Sequence, residues 1–371
     1  MNGSKSNTIE STDKNDDERL NVYKKHHKLA YDLLSNKHIF CKALREKRKF
    51  RRNYQSHSDH WFASVVGTFG NILLYQGRAL DIFYAPWLIV SVNAIIWTVL
   101  TEDDYISYQF RVDIEANFFI SACLAFLLVF RLNRVAIRWW DTRTIWGGIV
   151  AQSRTLTSEI LEHTHHMPEN RDEAIRWICT YIIAVKQFLR GEKKIDRAEL
   201  SGIISHEKLI KVENAAHPGL YCLSELHHTL KRAYSVNENT PIALATSYCS
   251  DMRRLEIGIH LMTAQVGGLE RIKATPLPIV FVTHLRSLLF LYLMSLPYLN
   301  SMEWGWFTIP IVSVLAFSLL GIDAAAHECE IPFSPNRVNH LDMEGYCLLA
   351  LKNITQLVCH SSDIHIRESG L

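Results

Sequence analysis

Excess charge of one sign is missing from this sequence. Its 40 lysines and arginines stand against 38 acids, a formal net charge of +2 over 371 residues. A dedicated nucleic-acid binder needs a dominant basic patch, so no nucleic acid is expected as a partner. Paired cysteines are missing too. Cys41, Cys123, Cys179, Cys222, Cys249, Cys329, Cys347 and Cys359 are scattered, with no CxxC among them. With no secretory signal at the start, they read as reduced thiols packed as small hydrophobes. Also absent are GxGxxG, a P-loop, GxSxG and HExxH. The sequence therefore gives an enzyme no support and predicts no cofactor. The histidine clusters "EHTHH" (Glu162–His166) and "ELHH" (Glu225–His228) lack the spacing of a common metal motif, so surface histidines and no metal are expected.

What is present is length without charge. "IFYAPWLIVSVNAIIWTVL", Ile82–Leu100, carries no charge, and Ile114–Phe130 carries one acid at its start. Ser287–Ile322 is apolar except around Glu303. About 20 apolar residues span a bilayer, and segments this long are rare in soluble cores. Four membrane helices in two hairpins are expected, one early and one late. The link after the first, "TEDDYISYQFRVD", is acidic, whereas Arg131, Arg134, Arg138, Arg271 and Lys273 flank the other ends. By the positive-inside rule both hairpin loops face out, and the termini and the middle face in.

The expected fold is an all-α membrane protein with a large inner helical domain. Residues 1–18 are polar and read as a disordered tail, and 19–61 as a basic N-terminal helical extension whose "KALREKRKFRR" suits either a solvated helix face or anionic headgroups. Residues 62–138 make the first hairpin and 139–270 the inner domain, with amphipathic runs such as Glu173–Gly191. The second hairpin takes 271–327, and 328–371 form a C-terminal segment packed on the inner domain. On a helix, Ala122, Phe126 and Phe130 are four apart and share one face. No Gly or Pro separates that stretch from Arg131, Arg134 and Arg138, so one rigid rod is expected to leave the bilayer.

The block "RWWDTRTIWGGIVAQSRTL", Arg138–Leu156, resembles the bestrophin family, especially its bacterial and plant branch. Three further blocks agree in order: "LRGE" (Leu189–Glu192), "GGLERIKATPLPIVF" (Gly267–Phe281) and "ECEIPFSPNRVNHLDMEGYC" (Glu328–Cys347). The resemblance covers about residues 62–357. It implies a homopentamer around a central ion pore, with four membrane helices per subunit. It places Ala122, Phe126 and Phe130 in an apolar neck on the second helix, and Leu277 at an inner aperture. Arg131 then adds pore-mouth charge if it faces the pore.

Departures from the family pattern carry expectations of their own. Ala122 stands where a larger aliphatic is usual, which widens the outer neck. "SPNRVNHLD" offers Asn336, Arg337 and Asn339 with only Asp342, too few charged oxygens for a hard cation, so calcium gating is not expected. Residues 1–61 have no counterpart in the resemblance. Phenyl edges carry partial positive charge, so rings of Phe126 and Phe130 favour anions: chloride, and bicarbonate with it. Asp113 and Glu115 at the outer mouth would favour cations. A cation-selective relative, a secondary transporter and a membrane scaffold remain as alternatives, although no inverted repeat is evident. A multi-pass protein of the plasma membrane or of thylakoids fits equally, though no transit peptide is apparent.

Overall fold

The computed structural model describes residues 20–24, 27–47, 80–102, 114–237, 240–335, 337 and 339–369, with no side-chain description for 114–118, 368 and 369. The tail at 1–18, the basic run beyond Lys47, most of the acidic link after Glu102, and Asn336 lie outside them. The described residues are helical and form no strand. In chain order the helices are α1 (Lys28–Lys47), α2 (Leu80–Glu102), α3 (Ile114–His163), α4 (Pro168–Arg190), α5 (His206–Asn214), α6 (Pro218–Ala233), α7 (Ile242–Ala274), α8 (Ile279–Trp304), α9 (Thr308–Glu330) and α10 (Met343–Ser369). Three stretches are long and apolar enough to cross a membrane: Asp81–Glu102, Phe119–His163 and Ile279–Glu330. The third consists of two helices, α8 of 26 residues and α9 of 23, joined by a 3-10 turn at Gly305–Phe307. Gly305 opens that turn at φ 50, a conformation that favours glycine.

The chain divides into two units. The hairpin unit comprises Asn53–Arg143 and Ile272–Leu341. In it α2, α8 and α9 pack together. Leu285, Leu289, Leu293 and Leu296 recur at spacings of four and three along α8, and Val312, Ala316, Leu320 and Ala324 at four along α9, so each helix turns one apolar stripe inward. Leu128 of α3 joins the same core. Polar groups along the spans find partners: Trp87 Nε1 donates to Ser313 O at 3.0 Å, and Asn93 Nδ2 to Met294 O at 3.0 Å. Residues Glu328–Leu341 fall within the bounds of this unit. Glu328 at the end of α9 accepts hydrogen bonds from Arg337 and Asn339, which ties the chain after α9 back onto it.

The other unit is a helical domain of Met1–Arg52, Thr144–Arg271 and Asp342–Leu371. Its centre is α4, buried nearly all round, which packs most extensively on α6. Gly191 ends α4 at φ 70, and the N–H groups of Gly191 and Glu192 return to Phe188 O and Gln187 O. The α4 charges are paired: Lys186 with Glu199, which also accepts from Lys47 at 2.6 Å, and Arg190 with both oxygens of Glu344. Helix α1 packs on α10 and on the 3-10 turn Arg197–Leu200. The eight cysteines are free; Cys41, Cys179, Cys222 and Cys347 are buried, while Cys123 and Cys249 are exposed.

Candidate functional site

Helix α3 presents two opposite faces within the hairpin unit. Leu124, Leu128, Arg131 and Val135, spaced four, three and four apart, are buried. Two residues along a helix is a turn of about 200°, so Ala122, Phe126 and Phe130 lie on the far side. All three are exposed, Phe126 by 69% and Phe130 by 44%. The two phenyl rings stack with centroids 6.4 Å apart and planes 23° apart. Phe119, three residues before Ala122, is exposed as well. Large apolar groups uncovered by their own chain forfeit roughly 2 kcal/mol each in water, so such a face calls for lipid, another subunit or a narrow channel.

Arg131 does not share this face. Its guanidinium is wholly buried and paired with Asp323 of α9, so the pore-mouth charge expected of it is spent inside the subunit. The next step of the stripe, Arg134, is exposed and lies with its guanidinium carbon 5.4 Å from the Phe130 ring centroid. The spacing of four that runs through Ala122, Phe126 and Phe130 continues to Arg134, and that signal in the sequence pointed to it.

Leu277 lies half-buried in the Thr275–Pro278 connection between α7 and α8. Prolines on either side deny this segment a helical ladder. It is held instead by side chains. The Leu277 N–H donates to Glu330 Oε1 at 2.8 Å, while Arg138 donates to Thr275 O at 2.9 Å and to Ile272 O. Arg138 and Glu330 thus position Leu277, and sequence reasoning gave neither of them that role. Further along, Arg337 Nη1 bridges Glu328 Oε1 at 2.7 Å and Asp81 Oδ2 at 2.8 Å, and Asn339 takes the other Glu328 oxygen. A guanidinium fills this acidic corner. Among the described residues no three His, Cys, Asp or Glu side chains are grouped to hold a metal ion.

A helical chain with such long apolar stretches, one of them carrying an exposed phenylalanine stripe, defines a membrane protein class built on bundled spans. The profile of the bacterial and fungal bestrophin proteins matches residues 61–356, and the chain belongs to that family. Among its relatives is a voltage-dependent anion channel-forming protein of Nostoc sp., 26% identical over 319 residues, or 84% of this chain and 96% of the relative. A protein of the same description from Synechocystis sp. is 26% identical over 293 residues, 77% and 90% of the two chains. The fold resembles the crystal structure of a bestrophin homologue from Klebsiella pneumoniae, with a TM-score of 0.62 at 18% identity, covering 74% of this chain and 98% of that one.

Proposed function

We propose that this protein is a subunit of an anion channel, with four membrane spans per subunit and five subunits around one pore. It conducts chloride, and bicarbonate with it, through a neck formed by Ala122, Phe126 and Phe130, with Leu277 at the inner aperture. The observation that carries the reading is the exposed face of α3, apolar through two phenyl rings and basic immediately after them at Arg134. Phenyl edges and a following guanidinium both favour an anion. The relatives' description as voltage-dependent anion channel-forming proteins agrees in ion sign. Asp113 and the Glu115 side chain, whose acids argue for cations, lie outside the described residues. The role is transport and not catalysis. The channel opens without calcium, because Arg337 already satisfies Glu328 and Asp81. The alternatives of a transporter and a scaffold gain no observation of their own.

Single-channel recording of the purified protein in planar bilayers tests the proposal. Unitary currents whose reversal potential follows chloride under a potassium chloride gradient are expected. Currents that follow potassium, or slow saturating flux with no unitary steps, would sink it.

A further inference from the structure

The exposed stripe of α3 holds three side chains stacked in a row. On a helix each side chain leans over the turn N-terminal to its own Cα, so a residue covers the one four places before it. Arg134 accordingly lies over the Phe130 ring, its guanidinium carbon 5.4 Å from the centroid. Phe130 in turn stacks on Phe126, with centroids 6.4 Å apart and planes 23° apart. Phe126 has only the methyl group of Ala122 to lean over, and it is 69% exposed where Phe130 is 44% exposed. Exposed side chains hop between rotamers within picoseconds to nanoseconds unless a neighbour holds them. For Phe130 the holding partners along its own face are Phe126 and Arg134. No carboxylate among the described residues pairs with Arg134. Asp141, the next acid along α3, lies about two turns on, roughly 10 Å away along the axis. The phenyl face is therefore what the guanidinium engages.

We infer that Arg134 is a positioning residue for the Phe130 ring: its guanidinium holds the ring in place and occupies the face to which a permeating cation would bind. The inference rests on the reading of this stripe as the neck, and it adds to the field of Arg134 an effect carried through the ring. A phenyl ring attracts cations at its face and anions at its edge, so the selectivity of a neck built of rings depends on which part an ion meets. A face already held by a resident cation offers a passing cation nothing, while the edge stays available to an anion. A charge acting only at a distance would be indifferent to whether residue 130 is aromatic. A charge acting through the ring loses that part of its effect when the ring is removed.

The test is a double-mutant cycle read as reversal potential of purified oligomers in bilayers under a potassium chloride gradient. Arg134→Gln is expected to lower the chloride-to-potassium permeability ratio. The drop should be roughly two- to fivefold larger with Phe130 present than in the Phe130→Leu background, the range an exposed cation–ring contact supplies. Tetramethylammonium gives a second readout, because quaternary ammonium ions bind free aromatic faces. Arg134→Gln should become sensitive to block by it, whereas wild type and the double variant should not. Equal drops in the two backgrounds would overturn the inference, as would an Arg134→Gln channel indifferent to tetramethylammonium. If Phe130→Leu does not assemble, the tetramethylammonium result on Arg134→Gln alone decides. Failure of Arg134→Gln and Arg134→Leu alike to assemble would make Arg134 an assembly residue and overturn the inference equally. Wild-type protein that passes no anion current would instead refute the channel reading, a result visible before any variant is made.

Discussion

At the residue scale the decisive groups are charges whose partners lie far away in the chain. Arg190 and Glu344 illustrate the energetics outside the membrane spans. Burial alone would raise the Glu344 carboxyl, but the Arg190 hydrogen bonds and charge outweigh it and hold the acid below its usual range. Because the folded value lies below the unfolded one, the pair stabilises the protein above about pH 4.3. That contribution is lost as the pH falls through the folded value. Glu344→Ala leaves Arg190 buried without its partner and is expected to cost about 3–5 kcal/mol; Glu344→Gln should flatten the acid limb of the unfolding curve, and thermal melts against pH check both. Burial pushes the Cys179 and Cys347 thiols up to about 12. Maleimide at neutral pH is therefore expected to label exposed Cys123 and Cys249 and to spare Cys179 and Cys347, as peptide mapping would show. Arg337 carries the third expectation at this scale. With its guanidinium across Glu328 and Asp81, currents in chelator and in micromolar calcium should match, and steep activation by calcium would refute the reading.

At the element scale, α3 shows what a sequence makes legible and what it conceals. Its apolar run, its continuity past Arg131 and the shared face of Ala122, Phe126 and Phe130 follow from helical periodicity alone. The side on which Arg131 lies does not. That is set by Asp323, which is 192 positions away in the chain and reaches α3 only once α9 packs. For the same reason the sequence left Arg138 and Glu330 without a role, since their partners are backbone atoms of the Ile272–Leu277 segment. Helix α4 was legible for a simpler reason: its amphipathic pattern and Gly191 define both its body and its end. The two faces of α3 make separable predictions. Phe126→Ala with Phe130→Ala is expected to raise conductance and weaken chloride preference, because both the dewetting barrier and the ring-edge field fall. Leu128→Ala, on the buried face, should instead destabilise by about 2–5 kcal/mol and leave the reversal potential alone. Identical reversal potential and conductance in the double variant would remove the stripe from the ion path.

At the scale of the whole molecule the question is how one such helix could line a pore. A single α3 presents one stripe of small width, and a helix has a diameter of about 10–12 Å with its side chains. One helix cannot enclose an aqueous path, so the proposed pore requires copies arranged about an axis with their stripes facing it. Closed rotational symmetry is the economical solution, because each subunit then repeats the same head-to-tail interface and leaves no surface unpaired. In the proposed channel the exposed Phe126 and Phe130 give the ring its reason at the residue level, and the five subunits proposed above set its expected size. Native mass spectrometry of the detergent-solubilised protein should therefore report a species of five subunits at protein concentrations where a 42.8 kDa monomer is scarce. A stable, well-folded monomer under the same conditions would leave the stripe facing detergent alone and would end the pore reading. A ring of another size would keep it and change the neck radius, and Ala122, the smallest of the three residues, would then sit at the widest point of a differently proportioned pore.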